Sequence, residues 1–315
     1  MRALITGASG FAGGWLCREC AAAGDDVIAL SRRGTVPDGC GRGLAADLLD
    51  SDGLAGIVRS AAPEVVYHLA ALSSVGRSWQ APARTLRDNV GSAVNLLEAV
   101  RCSAPDARVV WVSSCEVYGE PAALPIPESA PVAPASPYAV SKATGEMLCD
   151  VYTASYRLNI VRARPFSHSG PGQRSIFLLS SLARQVAEGR RAGAARLRIV
   201  TGNPDTRRDF TDVRDIVRAY RLLGEGSGGG VYNVSSGASV SAAGQLTLLG
   251  ELVAPLEIEH VVDPSQVRAH EVMDLRGDHS RLTGATGWEP EIPFRQTMAD
   301  TLAWWEAELA REAVG

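Results

Sequence analysis

Short apolar runs alternate with segments of helical length through the first half of the chain, and this alternation limits the fold more than any other feature. The runs are ALIT, DVIAL, EVVYHLA, RVVWVSS and NIVRARPF. They are apolar at consecutive positions rather than at every second one, as in strands buried on both faces. Strands joined by helices return parallel to one another through right-handed crossovers. The sequence therefore predicts an α/β fold with a mostly parallel sheet and helices on both faces. LAADL has the length of a short third strand, with a helix between it and EVVYHLA. Between Ala81 and Val100, Leu86, Val90, Val94, Leu97 and Val100 recur at roughly helical spacing.

The alternation loosens after Pro165. SHSGPGQRS is turn-rich, and a helix is predicted from about Ile176 to Glu188. RLRIV reads as a strand and DVRDIVRAYRLL as an amphipathic helix. GEGSGGG reads as a surface turn, because VYNV resumes at once as a buried strand. A helix near residues 241 to 253, the strand IEHVV and a helix bearing Trp304 and Trp305 follow. A length of 315 residues suits two packed lobes. The larger is expected from residues 1–165 plus about 231–238, and a smaller α/β lobe from 166–230 plus 239–315.

A formal charge of −4 and the lack of a basic patch argue against bulk nucleic-acid binding, while leaving room for a local phosphate site. No run approaches the roughly 20 apolar residues of a membrane helix. MRALITGASG enters a strand and glycine turn directly, without the basic and apolar segments of an export signal, so a cytoplasmic protein is expected. Cys17, Cys20, Cys40, Cys102, Cys115 and Cys149 are scattered, as reduced thiols would be. Cys17 and Cys20 form a C-x-x-C pair, but no second pair completes a zinc site and the histidines form no H-x-x-x-H pair; no metal is expected.

Gly7, Gly10 and Gly13 lie between ALIT and the helix around WLCRECAAAG. Glycines at this spacing permit a tight turn, close approach of a pyrophosphate, and close packing of helix on strand. Free N–H groups at the helix start would face the phosphates. An ordinary turn in a glycine-rich chain would contain the same residues; the position after a strand favours a Rossmann-type dinucleotide site. DVIAL ends in SRRG, without the acid that commonly binds the adenosine ribose of NAD. Ser31 and Arg32, with Arg33 as helper, favour the 2′-phosphate of NADP(H), with NAD(H) as the alternative; a solvated arginine pair would look the same. Asp47 and Leu48 are placed to meet adenine.

SPYAVSKATGE puts Tyr138 and Lys142 one helical turn apart, behind a Pro137 that suits the first helical position. RVVWVSSCEVYGE carries Ser114 to the carboxyl end of a central strand, the edge where open sheets bind ligands. Ser114 would steady a substrate oxygen while Tyr138 exchanges its proton. A free phenol titrates near 10, so a nearby ammonium would help. Lys142 is expected to lower the Tyr138 pKa and to bond the nicotinamide ribose.

These motifs also carry a resemblance. GASGFAG, YAVSK and SSCEVYG resemble the extended short-chain dehydrogenase/reductase family, and HLAALSSVGRSW and DNVGSAVNLLEA extend the likeness. RPFSHSGPGQ, GNPDTRRDFTDVRDIVRAY, VYNVSSG, RAHEVMDLRGDHSRL and TGWEPEIPF resemble its branch acting on GDP-sugars, which includes 4-keto-6-deoxymannose reductases and mannose 4,6-dehydratases. The resemblance implies Ser114, Tyr138 and Lys142 as the proton-transfer group, and Glu116 as the acid that dehydratases use at sugar C5. It adds Phe11, Leu69, Ala70 and Ala71 to the cofactor site. It places Ser73, Ser114, Cys115, Glu116, Ser167, Arg208, Arg268 and Asp278 around a GDP-sugar, with Arg208 and Arg268 on the diphosphate. Asp278 would orient Arg268 or meet the nucleotide ribose. Two departures stand out. Cys115 replaces the aspartate or serine usual in dehydratases, and Ser167 replaces a common asparagine with a shorter side chain lacking the amide donors. No activating base marks Cys115 as a nucleophile.

The expected activity is NADP(H)-dependent reduction of a GDP-4-keto-6-deoxyhexose at C4. GDP-mannose 4,6-dehydration, GDP-sugar epimerisation at C4 or at C3 and C5, and a non-enzymatic nucleotide sensor are the alternatives, since a fold does not choose among chemistries. A homodimer is expected by resemblance, through the helices around residues 81–100 and 137–156.

Overall fold

The structure, a computed structural model, describes residues 1–226, 228–267 and 272–313. The first half runs β1 (Arg2–Thr6), α1 (Phe11–Ala22), β2 (Asp26–Ser31), β3 (Arg42–Ala45), α2 (Ser51–Ala61), β4 (Val65–His68), α3 (Val75–Gln80), α4 (Pro82–Ser103), β5 (Arg108–Val112), α5 (Pro137–Tyr156) and β6 (Asn159–Pro165). The second half runs β7 (Ser167–Ser169), α6 (Leu178–Arg191), β8 (Arg196–Thr201), β9 (Arg207–Asp212), α7 (Val213–Glu225), β10 (Gly230–Val234), β11 (Ser239–Ser241), α8 (Ala242–Val253), β12 (Glu257–Val262), β13 (Asp274–Leu275), α9 (Ser280–Thr286) and α10 (Phe294–Glu312).

Among the described residues, seven strands form one parallel sheet in the order β10-β6-β5-β4-β1-β2-β3. The strand order reverses between β1 and β4, which opens a crevice at their carboxyl ends. The expected Rossmann-type α/β class is thus observed. On one face, Leu16 and Cys17 of α1 pack with Ile216, Val217 and Tyr220 of α7. On the other, Leu54 and Val58 of α2, Leu96 and Val100 of α4, and Cys149 of α5 close the core. Each fully buried Leu, Ile or Val contributes roughly 1.5–3 kcal/mol.

Three local details differ from the sequence expectation. α7 falls inside the range expected for the smaller lobe, yet its apolar stripe lies on the large sheet beside α1. The helix expected from Ala81 is preceded by a separate short one, and the chain breaks at Ala81, with φ −142° and ψ 60°. Pro82 disfavours helical geometry at the residue before it. β3 ends at Ala45, two residues before Asp47, leaving Asp47 and Leu48 in the following turn.

The smaller region contains the parallel pair β8–β12 and a small sheet centred on β9, which pairs with β7, β11 and β13. Leu182 and Val186 of α6, Leu249 of α8, and Met298, Leu302 and Trp305 of α10 form its core. A separate cluster of Cys115, Tyr118, Ile126, Phe166 and Leu275 ties the turn after β5 to this region. No described helix is long and apolar enough to cross a membrane.

Candidate active site

The glycine turn is built by close approach. Gly7 has φ +72°, and a Cβ there would lie 2.9 Å from the Ala70 backbone nitrogen. A Cβ at Gly13 would stand 2.1 Å from the Gly7 carbonyl oxygen, so α1 can seat on the turn only with glycine there. The Gly10 N–H donates to Gly7 O at 2.8 Å. Thr6 Oγ1 accepts from Ala70 N at 3.3 Å and shares a 2.9 Å hydrogen bond with His68 Nδ1, tying the ends of β1 and β4 together. Burial, then the Lys142 charge, lowers the His68 pKa to about 3, so its ring is neutral at physiological pH. At the start of α1, Phe11 stacks near-parallel on His168, with centroids 6.1 Å apart.

At the end of β2, Ser31 is buried and its hydroxyl donates to Thr35 O at 2.9 Å. Arg32 and Arg33 are exposed and hold no hydrogen bond or ion pair among the described residues. Two unspent guanidinium groups beside a turn too tight for any Cβ suit a dinucleotide with an extra phosphate. Asp47 is exposed and accepts from Leu49 N at 3.0 Å, while Leu48 is half-buried. Leu69, Ala70 and Ala71 are half-buried after β4, and Ser73 is exposed.

This stretch is pinned by Asn89 of α4, which the sequence reading did not single out. Asn89 exchanges hydrogen bonds with Leu72 N and O and donates to Ser141 Oγ at 2.9 Å; Ser141 donates to Tyr138 O at 2.7 Å. The available signal was a lone amide among the small and apolar residues of DNVGSAV.

α5 begins with Ser136, whose hydroxyl accepts from Ala139 N at 3.1 Å, and Pro137 occupies its first turn. Such a cap satisfies one otherwise unpaired N–H and fixes the direction of entry. Tyr138 and Lys142 are then 7% and 4% exposed. The Ser114 hydroxyl lies near enough to the Tyr138 phenol to favour its ionised form. Burial pushes the phenol pKa up; Ser114 opposes this, and the Glu116 charge adds to it. At neutral pH the phenol is a poised proton donor. Glu116 is half-buried beside this group, and its N–H donates to Ser114 Oγ at 3.3 Å. The structure therefore brings Ser114, Cys115, Glu116, Tyr138 and Lys142 together.

Lys142 is aimed differently from the expectation. Its Nζ donates to Val112 O at 2.7 Å and lies 6.0 Å from the centre of the Trp111 ring. Burial lowers its pKa to about 8, with Glu146 opposing. One of the three ammonium donors is thus used on a strand carbonyl, and the Tyr138 pKa is governed by burial and Ser114. Cys115 is buried and its thiol is pushed well up by burial, which keeps it protonated and unreactive.

The smaller region supplies the remaining groups with less uniformity. Ser167 is half-buried in β7. Arg208 donates through Nη1 to Arg207 O at 2.7 Å and Val272 O at 2.9 Å, and its charge reaches Cys115. Asp278 receives both the N–H and the hydroxyl of Ser280, which holds its carboxyl below the usual range. Arg268, its expected partner, lies outside the described residues. Asp209, not singled out from sequence, is fully buried; it accepts from Ser236 N at 2.7 Å, Ser236 Oγ at 2.6 Å, Gly237 N at 3.0 Å and Gly277 N at 3.2 Å. It anchors the loop after β10 behind Arg208.

Residues 4–301 match the family model described as GDP-mannose 4,6 dehydratase. The chain belongs to that family, within the extended short-chain dehydrogenase/reductases. Its members are NAD(P)-dependent enzymes that modify nucleotide sugars. The chain is 38% identical over 314 residues, 99% of each sequence, to GDP-6-deoxy-D-mannose reductase of Pseudomonas aeruginosa. The solved structure of RMD from Pseudomonas aeruginosa complexed with NADPH superposes with a TM-score of 0.83 at 36% identity, covering 98% of this chain and 100% of that one. UDP-glucose 4-epimerase of Thermotoga maritima with UDP-glucose superposes with a TM-score of 0.89 at 25% identity, covering 98% and 100%. The backbone of this family thus serves more than one reaction.

Proposed function

We propose that the chain is an NADP(H)-dependent GDP-4-keto-6-deoxyhexose reductase acting on the C4 ketone. The observation that carries this reading is the buried, protonated Tyr138 hydroxyl beside Ser114, which follows β5 at the carboxyl edge of the sheet that also bears the glycine turn. Gly7, Gly10 and Gly13 would receive the pyrophosphate, and Arg32 and Arg33 the 2′-phosphate, with Ser31 alongside. The likeness to a reductase and to a structure holding NADPH supports the same choice.

When bound, NADPH supplies the hydride for the ketone carbon. Tyr138 delivers its proton to the oxygen that becomes an alcohol, and Ser114 donates a hydrogen bond to that oxygen as negative charge builds. Lys142 can exchange its Val112 carbonyl for ribose hydroxyls while keeping its charge close. Cys115 fills space beside the site. The GDP-sugar lies across the smaller region, with Arg208, Arg268, Ser167, Ser73 and Asp278 as its candidate contacts. The lobe division follows: residues 1–165 plus 231–238 hold the cofactor, with α7 as part of that lobe's wall.

Glu116 favours a second reading. A half-buried carboxylate beside Tyr138 suits removal of a C5 proton in GDP-mannose 4,6-dehydration. The test is incubation with a GDP-4-keto-6-deoxyhexose and NADPH, followed by nicotinamide absorbance and product mass. Stoichiometric cofactor oxidation with a product two hydrogens heavier supports the reductase. No oxidation across plausible GDP-keto sugars, with GDP-mannose losing water under catalytic NADP, replaces it with the dehydratase.

A homodimer belongs to the same proposal. Val140, Met147 and Val151 form one exposed stripe on α5, with Met147 68% exposed. A second copy packed across α4 and α5 would cover them. Light scattering that finds only monomer contradicts this part.

A further inference from the structure

Glu146 stands one turn beyond Lys142 and two beyond Tyr138, on the same buried stripe of α5. Its carboxylate receives Arg164 Nε at 2.9 Å and Nη2 at 2.6 Å, and also the hydroxyl of Ser113. Both side chains of the pair are 5% exposed. Arg164 lies over the Tyr118 ring, 4.7 Å from its centre, and Tyr118 donates to Asn233 Oδ1 at 2.7 Å. Ser113 sits between Val112, whose carbonyl holds Lys142, and Ser114, which meets Tyr138. One ion pair therefore joins α5 to the ends of β5, β6 and β10 beneath the catalytic cluster.

We propose that Glu146, clamped by Arg164, is a positioning residue that fixes the Val112–Ser114 strand end and supplies the counter-charge for the Lys142 ammonium. The groups facing Lys142 leave few alternatives. His68 of β4 is neutral. Tyr138 and the Cys149 thiol on its own helix are protonated. Arg164 of β6 is bonded to Glu146, while the Glu116 charge bears on Tyr138. Among the described residues, Glu146 is the carboxylate whose charge reaches Lys142, one helical turn away, and it is also the one bonded to Arg164. Without that charge, lysine is the partner that gives up its proton, because a guanidinium does not.

The inference rests on the reductase reading only for its turnover assay, and NADPH affinity measured by direct titration is an independent readout. In the parent both should fall as pH rises through about 8, where the Lys142 ammonium is lost in the free enzyme. Glu146→Gln keeps the acceptor for Ser113 and removes the charge; the alkaline limb should move to lower pH by about one unit or more. Arg164→Met alone should move it upward. The paired Glu146→Gln/Arg164→Met variant, which removes both charges, should return it toward the parent. Melting temperatures of the same variants separate positioning from support. Lowered melting temperatures with the limb unmoved in every variant that folds overturn the proposal. If Glu146→Gln does not fold, an unmoved limb in both Arg164→Met and the paired variant overturns it equally. A parent that binds NADPH but reduces no GDP-keto sugar sinks the reductase reading and leaves the binding limb to decide this one.

Discussion

The carboxyl edge of the large sheet and the β9 region handle polar side chains in opposite ways. At the sheet edge, Ser114, Tyr138 and Lys142 project from a regular strand end and a capped helix into a buried cluster. Around β9, Arg208, Asp209 and Asp278 are occupied with the main chain of neighbouring loops. Regular elements hold reacting groups to small tolerances, whereas loops re-form readily around different ligands. The contrast explains how chains of one backbone, a reductase and an epimerase among them, can share this frame. It assigns turnover to the sheet edge and sugar-nucleotide affinity to the β9 region.

The largest effect should follow Tyr138→Phe, which removes the proton donor while keeping the ring. Turnover should fall by about 10³-fold, within the range of a lost general acid, with NADPH affinity changed by no more than about 3-fold. A matching collapse of NADPH affinity would make the hydroxyl structural and erase the contrast. Gly13→Ala comes next, because its methyl would collide with the Gly7 carbonyl. Overpacking of about 1–3 kcal/mol should weaken NADPH binding by roughly 10- to 100-fold in isothermal titration and lower the melting temperature. Wild-type affinity would show that the turn is not the phosphate cradle.

Arg32→Ser should raise the KM for NADPH about 10-fold, the scale of one charged hydrogen bond, and leave that for NADH unchanged. Equal changes with both cofactors would remove the 2′-phosphate assignment. The smallest effect should come from Arg208→Lys, which keeps charge and loses the planar fork. The KM for the GDP-sugar should rise about 5-fold with kcat preserved. A lower kcat at unchanged KM would carry the β9 region into the chemical step.

The strands of the large sheet announced themselves in the sequence because two-sided burial requires continuous apolar runs. Gly7, Gly10, Gly13, Tyr138 and Ser114 were equally readable, since their spacing relative to strand ends implies position. The packing of α7 was not, because an amphipathic stripe reveals a buried face without naming the surface that covers it. Asn89, Asp209 and Glu146 were missed for a related reason: a polar residue in a buried segment does not disclose its partners, which come from strands and loops far along the chain. The direction of the Lys142 ammonium depended on the Val112 carbonyl, a backbone group invisible to side-chain spacing. The contacts of Arg208 and Asp278 likewise depend on loop paths that no periodicity encodes.

Hydride delivery to the sugar ketone, completed by a proton from Tyr138, is most directly tested with NADPH deuterated on the transferred face of nicotinamide C4. A GDP-4-keto-6-deoxyhexose turned over with this cofactor in ordinary water should give a product heavier by one deuterium and one hydrogen, with the deuterium at sugar C4. An unlabelled product, or sugar turnover that leaves the deuterated cofactor unconsumed, would contradict the account.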